Sequence, residues 1–202
     1  EMQRSLVGSE MCIRDRMSGS VLLTYTLPSD PDLLYVAASY TNKAGKKYEF
    51  KASYFTNTLL VEGFGDTDTY SLDVYAVDRS ENYSEPVNIQ VAADTPPVQA
   101  AYETLEVQPD FGGMTFSFDN ASKADLTVYV STPNADNEMV NAETFYTGLA
   151  KATFSVRGFL DVPRDFEICF EDKWGNRSPV KKENLTPIYE AELDKKKFKE
   201  VI

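Results

Sequence analysis

The chain reads as all-β, two tandem antiparallel β-sandwiches, and three observations predict it. The first is an internal repeat. Val61-Glu62-Gly63-Phe64 and the later string Asp73-Val74-Tyr75-Ala76-Val77-Asp78-Arg79-Ser80-Glu81-Asn82-Tyr83-Ser84-Glu85-Pro86 return as Val156-Arg157-Gly158-Phe159 and Glu167-Ile168-Cys169-Phe170-Glu171-Asp172-Lys173-Trp174-Gly175-Asn176-Arg177-Ser178-Pro179. A duplication of this length means two copies of one domain. The second is short runs of period-two alternation separated by turn residues, which is the pattern of half-buried strands. The third is composition along those runs: β-branched and aromatic residues dominate, as a pleated surface prefers, and helical signals are weak.

In the first copy, Val21, Leu23 and Tyr25 share a strand face. Leu34, Val36, Ala38 and Tyr40 form the next, up to the turn Asn42-Lys43-Ala44-Gly45, and Tyr48 with Phe50 and Leu59 with Val61 follow. Tyr70, Leu72, Val74 and Ala76 make the most regular strand, with Ser71, Asp73 and Tyr75 facing the other way, and Val87, Ile89 and Val91 close the set. Asp94-Thr95-Pro96-Pro97 then breaks the pattern, since prolines lack amide donors and stiffen a chain. In the second copy, Leu105 and Val107 precede Gly112-Gly113 and the run Thr115 to Phe118. Leu126, Val128 and Val130 match Leu34, Val36 and Ala38; Phe154 and Val156 match Leu59 and Val61; Phe166, Ile168 and Phe170 match Leu72, Val74 and Ala76. Residues Pro133 to Thr147, rich in Asn, read as an edge strand or long loop.

The expected organisation is residues 1–16, 17–93 as the first domain, 94–98 as a Pro-rich linker, 99–187 as the second domain and 188–202 as a connector to a missing third domain. Ser5 to Arg16 looks like the in-frame translation of a transposase-type sequencing adapter, so residues 1–16 are set aside as an artefact expected to lack a packed role, with Leu6, Val7 or Ile13 at most filling the place of a lost first strand. On that reading the true start of the gene is missing.

The formal net charge is -12 with no histidine. An acidic surface argues against nucleic acid or anionic membrane as partner. Without histidine the usual general base, the usual zinc ligand and any Ser-His or Cys-His pairing are gone, although carboxylate chemistry survives that objection. Cys12 falls in the adapter-like stretch, which leaves Cys169 with no intrachain disulfide partner. No run of eighteen apolar residues exists, so no transmembrane segment is expected.

Tyr70-x-Leu72-x-Val74-x-Ala76-x-Asp78, with Asn82 and Ser84-x-Pro86, resembles the last two strands of immunoglobulin/fibronectin III-like domains. In that family a tyrosine near the strand start makes a corner hydrogen bond to backbone, a role the resemblance gives to Tyr70. The second copy has Arg164 there and departs from the pattern. Ser20 to Pro28 with Asp32 to Val36 is similar to the first of two fibronectin-like modules in surface lipoproteins of polysaccharide-foraging Gram-negative bacteria. In those proteins a discoidin-like domain follows, introduced by a segment similar to Leu193 to Phe198. The resemblance implies export, an outer-membrane-anchored cell-surface location (or the periplasm), and polysaccharide as a partner beside neighbouring domains of the same chain.

Asp78 with Asn82, and Asp172 with Asn176, precede the last strand of each copy. They read either as a calcium site or as structural turn chemistry, in which Asx side chains bond local backbone; duplication favours the turn. Asp66-Thr67-Asp68 and Asp30-Pro31-Asp32 match no complete calcium loop and read as solvated. Trp174, the only tryptophan, and Tyr83, near the matching place in the first copy, are the aromatic candidates for stacking on sugar rings; the other reading is that the indole packs over the sandwich end. A nucleophilic thiol needs cationic neighbours, and Cys169 has Glu167 and Glu171 on its strand face instead. No catalytic residue, metal ligand or cofactor is assigned. The expected function is a non-catalytic structural or binding module of an exported cell-surface protein, with accessory domains of a glycoside hydrolase and a calcium-dependent adhesion module as alternatives.

Overall fold

The computed structural model describes residues 11–27 and 31–189. Residues 1–10 with Leu6 and Val7, Asp30 of the acidic pair, and residues 190–202 of the expected connector lie outside them. Two compact units divide at Pro97/Val98. Both are antiparallel β-sandwiches.

The first unit contains β1 (Met11–Met17), β2 (Ser20–Tyr25), β3 (Leu33–Thr41), β4 (Lys47–Ser53), β5 (Thr58–Glu62), β6 (Tyr70–Asp78) and β7 (Val87–Val91). They form a three-stranded sheet, β1-β2-β5, and a four-stranded sheet, β4-β3-β6-β7. The second contains α1 (Pro97–Glu103), β8 (Glu106–Asp110), β9 (Gly113–Asp119), β10 (Leu126–Pro133), β11 (Met139–Thr147), β12 (Lys151–Arg157), β13 (Arg164–Asp172) and β14 (Lys181–Leu185). Its sheets, β8-β9-β12 and β11-β10-β13-β14, repeat the strand order of the first unit, which is that of a fibronectin III-like sandwich.

The inward faces follow the alternation. Val21, Leu23, Tyr25, Leu59, Val61, Leu72 and Val74 are buried in the first unit; Met114, Phe116, Phe118, Val128, Val130, Phe166, Ile168 and Phe170 are buried in the second. In β3 the expected set is displaced. Leu33, not Leu34, is the buried residue, because the β3–β6 register shifts between Leu33 and Tyr35. A bulge inserts one residue, and every side chain before it changes face.

Part of the adapter-like stretch stands in the place of a first strand, the one role that the sequence left open to it through Ile13. Residues from Met11 onward form β1, paired to β2 from Met11↔Tyr25 to Met17↔Ser20. The ladder uses main-chain N–H and C=O groups that any sequence supplies, so an edge strand needs little of its own side chains. The duplication also reaches the turn that follows: Gly19 N–H donates to Asp94 O at 3.1 Å, and Gly112 N–H to Ile188 O at 2.9 Å.

The short helix was not anticipated. Val98, Ala101 and Tyr102 carry the i, i+3, i+4 spacing of an apolar helical face, Leu105 just beyond the helix continues it at i+7, and all four belong to or pack on the second core. Pro97 opens it, where a missing amide donor costs nothing. The proline pair is thus partly a helix start. Residues Pro133 to Thr147 resolve into the β10–β11 hairpin, whose β11 is a sheet edge.

In both units a glycine in the left-handed region ends the strand before a conserved-in-copy phenylalanine: Gly63 has φ 88° and Gly158 φ 100°. The reversal lets Phe64 N–H donate to Gly19 O at 3.1 Å and Phe159 N–H to Gly112 O at 2.9 Å. A Cβ at either glycine would be strained.

Candidate functional site

The corner tyrosine is not arranged as the resemblance implies. Tyr70 is buried, but its hydroxyl donates to Asp66 Oδ1 at 3.0 Å, a side chain and not backbone. The backbone bond is made by Tyr40, whose hydroxyl donates to Glu62 O at 2.9 Å. Its ring stacks on Phe64 at 4.6 Å and meets Tyr70 edge-on at 5.7 Å. Two tyrosines and a phenylalanine therefore share the work of the corner, and the one deeper on β3 reaches the main chain. Burial, then the Asp66 bond, push the Tyr70 phenol up to about 12. Tyr40→Phe is expected to cost about 1 kcal/mol, the net worth of one buried hydrogen bond. Urea unfolding of the variant measures it, and an unchanged midpoint would reject this assignment.

Arg164 solves the same corner differently in the second unit. Its Nη1 donates to Pro133 O at 2.7 Å and to Thr132 Oγ1 at 3.1 Å, and its guanidinium lies 4.8 Å from the Phe159 ring centre.

The acidic loop Asp66-Thr67-Asp68 is held by a cation. Lys43 Nζ lies 2.6 Å from Asp66 Oδ2 and also contacts Asp68. Burial pushes Asp66 upward, yet Lys43, the Asp68 amide and the Tyr70 hydroxyl together hold its carboxyl below the usual range.

The duplicated Asx pairs are clamps on a tight turn. Asp78 Oδ1 accepts the Ser80 and Asn82 amides at 2.8 and 2.9 Å, while Asn82 Nδ2 donates to Oδ2 at 3.0 Å. Asp172 Oδ1 accepts the Trp174 and Asn176 amides, both at 2.9 Å, and Asn176 Nδ2 donates to its Oδ2 at 2.9 Å. The residue between, Glu81 or Gly175, has positive φ. Asn42, Asn120 and Asn134 hold similar turns through an Oδ1 that accepts the amide four residues on. Each Asp thus presents its oxygens to N–H donors of its own turn, the arrangement of turn chemistry. Next to each clamp a serine repeats the pattern: Ser84 Oγ accepts from Ala76 N–H at 3.0 Å, and Ser178 Oγ from Phe170 N–H at 2.9 Å.

Trp174 and Tyr83 are not equivalents. Tyr83 bridges Val77 and Arg177 bridges Glu171, so Arg177 is the counterpart of Tyr83, and Trp174 corresponds to Ser80. Counting from the clamp aspartate would have shown this. Trp174 sits half-buried at the turn tip with Lys173 Nζ 5.1 Å from its ring centre. Tyr83 is 47% exposed and belongs to a cluster that sequence reading did not assemble. Its ring meets Tyr75 edge-on at 5.6 Å, and its hydroxyl lies 3.4 Å from that of Tyr35. Lys51 Nζ donates to Tyr35 Oη at 3.2 Å, lies 4.7 Å from the Tyr35 ring centre, and pairs with Glu49 at 3.1 Å. The Tyr35 contact, then burial, raise the Tyr83 phenol. The outward alternation of Tyr75 was the available signal; its neighbours come from β3 and β4.

Cys169 contacts Ser178 O at 3.5 Å and Phe170 O at 3.6 Å. Of the carboxylates beside it, Glu167 pairs with Lys182 at 2.7 Å and Glu171 with Arg177 at 2.6 Å. Among the described residues, no group of three or more His, Cys, Asp or Glu could hold a metal ion, and no helix is long and apolar enough to cross a membrane.

Asp110 is held below the usual carboxylate range. The Phe111 amide and the Thr115 hydroxyl lower it from 3.8 to about 2 against opposing desolvation, with Arg157 adding at 3.2 Å. A folded value below the unfolded one means stability that is present above about pH 3.8 and lost as pH falls toward 2. Asp110→Asn is expected to flatten that acid limb, read by circular dichroism against pH; an unaltered limb would count against the pairing.

Residues 94–196 match the model of a domain of unknown function (DUF5126), and residues 11–93 that of a second domain of unknown function (DUF4959). Among solved structures, the SusE-like protein BT2857 is similar at 34% identity, covering 49% of this chain and 34% of that one with a TM-score of 0.42. The chain therefore spans 34% of the length of that protein. A two-domain fibronectin type III segment from chicken tenascin is 16% identical over 88% of this chain and 97% of that one, TM-score 0.39. The FN1–FN3 domains of chicken CNTN1 are 9% identical over 88% and 65%, TM-score 0.36. No curated protein matches. With the first of these domain patterns spanning just over half of its 202 residues, the chain belongs to the DUF5126 family.

Proposed function

We propose that the two sandwiches are a non-catalytic structural and binding module of an exported cell-surface protein, presenting a neighbouring domain and contacting polysaccharide. The observation that carries the non-catalytic reading is the duplication itself. The polar side chains repeated between the copies, Asp78 and Asp172, Asn82 and Asn176, Ser84 and Ser178, all bond the turn and strand around them. A catalytic site is asymmetric, whereas these groups recur because each copy needs them to fold. Surface location, lipid anchoring, a discoidin-like neighbour and polysaccharide as ligand rest on the resemblance of Ser20 to Val36 and Leu193 to Phe198.

Tyr83 is the better contact for a sugar ring than Trp174. It is exposed, it is backed by Tyr75 and Tyr35, and Lys51 and Glu49 stand beside it for hydroxyl groups. The expected result of calorimetry against plant and host polysaccharides is weak binding that Tyr83→Ala abolishes and Trp174→Ala leaves, with no release of reducing ends. Turnover by the purified chain would overturn the non-catalytic reading. Binding indifferent to Tyr83→Ala would overturn the choice of contact.

A further inference from the structure

The outward faces of the two four-stranded sheets carry different chemistry on the same strand pairing. In the first unit Ala37 lies opposite Lys51 and Tyr75, Ser39 opposite Glu49 and Asp73, Asp73 opposite Asn88, and Ser71 opposite Gln90. Alternation puts these positions on one face together with Tyr35. One end of that face is the aromatic cluster, linked by the Tyr35–Tyr83, Lys51–Tyr35 and Tyr75–Tyr83 contacts. At the next outward position of β6 a polar ladder begins. Asn88 Nδ2 donates to Asp73 Oδ1 at 2.9 Å and to Ser71 Oγ at 2.6 Å, and Gln90 Nε2 donates to Asn88 Oδ1 at 3.2 Å.

The second unit shows that the fold does not demand this arrangement. By strand register Glu167 takes the place of Asp73, Lys182 that of Asn88 and Cys169 that of Tyr75, while Arg177 stands for Tyr83. Ion pairs hold the face there, Glu167 to Lys182 at 2.7 Å and Glu171 to Arg177 at 2.6 Å. A sandwich that closes with ion pairs at these places needs neither the aromatic cluster nor the amide ladder for its own pairing.

We propose that this face of the first unit is a two-part site for an uncharged, extended glycan, one ring packing on Tyr83 and the following rings bonding the Asp73–Asn88–Gln90 ladder. The proposal rests on the reading that Tyr83 contacts polysaccharide, and adds the charge and length of the chain that fits. The ladder side chains are planar and fixed by one another, so they meet hydroxyl groups with little further ordering. Lys51 is paired with Glu49, and Asp73 leaves the stretch acidic in a chain of net charge -12, which selects an uncharged glycan over a uronate or sulfated one. From Val77, which Tyr83 bridges, to Ser71 the face runs about 20 Å at roughly 3.3 Å per residue, enough for several sugar rings.

The test is calorimetry of the full chain with disaccharides and hexasaccharides of the cello-, xylo- and malto- series, beside hexagalacturonate. A neutral hexasaccharide is expected to bind roughly tenfold tighter than its disaccharide, the gain from one or two hydrogen bonds of ordinary strength. Asn88→Ala should remove that gain. Asp73→Glu combined with Asn88→Lys should remove it too, and installs the pair with which the second unit already folds. Lys182→Ala, at the matching place of the second unit, should keep it, and hexagalacturonate should bind more weakly than the neutral chains. No gain with length, a gain that survives Asn88→Ala, an equal loss in Lys182→Ala, or tightest binding of hexagalacturonate would each overturn the proposal while leaving Tyr83 as a sugar contact. Binding indifferent to Tyr83→Ala, or no binding at all, would overturn the underlying reading and this proposal with it.

Discussion

Gly113→Ala is expected to cost on the order of 4 kcal/mol and to unfold the second unit at temperatures where the first stays folded. Gly113 opens β9 opposite Arg157 of β12. A Cβ built there would lie 1.8 Å from the Val156 carbonyl oxygen and 2.8 Å from its carbon. These are backbone atoms held in a ladder, so no rotamer change relieves the clash and the β9–β12 pair must part. Parting it withdraws Met114 and Val156 from the core they help close. Its φ is not in the left-handed region, so the demand is for space alone. Ser20 occupies the matching place in the first unit, which shows that the closeness is particular to the second. Calorimetry of the two-unit chain should show one transition moved down strongly and the other unmoved. Equal stability would mean that the strands separate there without loss.

Asp172→Ala, and likewise Asp78→Ala, is expected to cost about 3 kcal/mol. Each removes one carboxylate that accepts two main-chain amides and a side-chain amide, and hydrogen bonds to a charged group contribute roughly 1.5–3 kcal/mol, with further loss where donors stay buried and unmet. Asp78 is only 5% exposed, so solvent replaces its bonds poorly. The clamp also positions Ser178, or Ser84, to bond the strand before the turn. Asp172→Asn should fall between wild type and Ala, because Oδ1 is kept while the partner amide of Asn176 meets a second donor. Urea titration gives the ordering, and an Asn variant as damaged as Ala would locate the effect in charge instead of hydrogen bonding.

The calcium reading of these pairs and the turn reading predict opposite behaviour. If the turn alone matters, added calcium leaves the midpoint of each variant unchanged.

Sequence periodicity sufficed for the sandwiches because the inward residues of each strand are consecutive alternates, and an alternate pattern has one stable way to face a core. The repeats sufficed for the clamps, since an Asx turn is closed by residues within four positions of one another. Legibility ended where partners come from far along the chain. The bulge that turns Leu33 inward is set by pairing with β6. The α1 helix escaped because seven residues are too few for a periodic signal to stand out, although Val98, Ala101, Tyr102 and Leu105 carried it.

By itself, then, the sequence determined two copies of an all-β module, most strand faces and the turn chemistry, all properties carried by neighbouring residues. Tertiary structure alone decided that Tyr40 and not Tyr70 reaches the backbone, because the acceptor at Glu62 is set by where β5 passes β3. It likewise decided that Tyr83 joins Tyr35, Tyr75 and Lys51, that Arg177 and not Trp174 is its counterpart, and that Gly113 admits no side chain. Each of these depends on the distance between strands far apart in sequence, which the packing of the two sheets sets and no local pattern records.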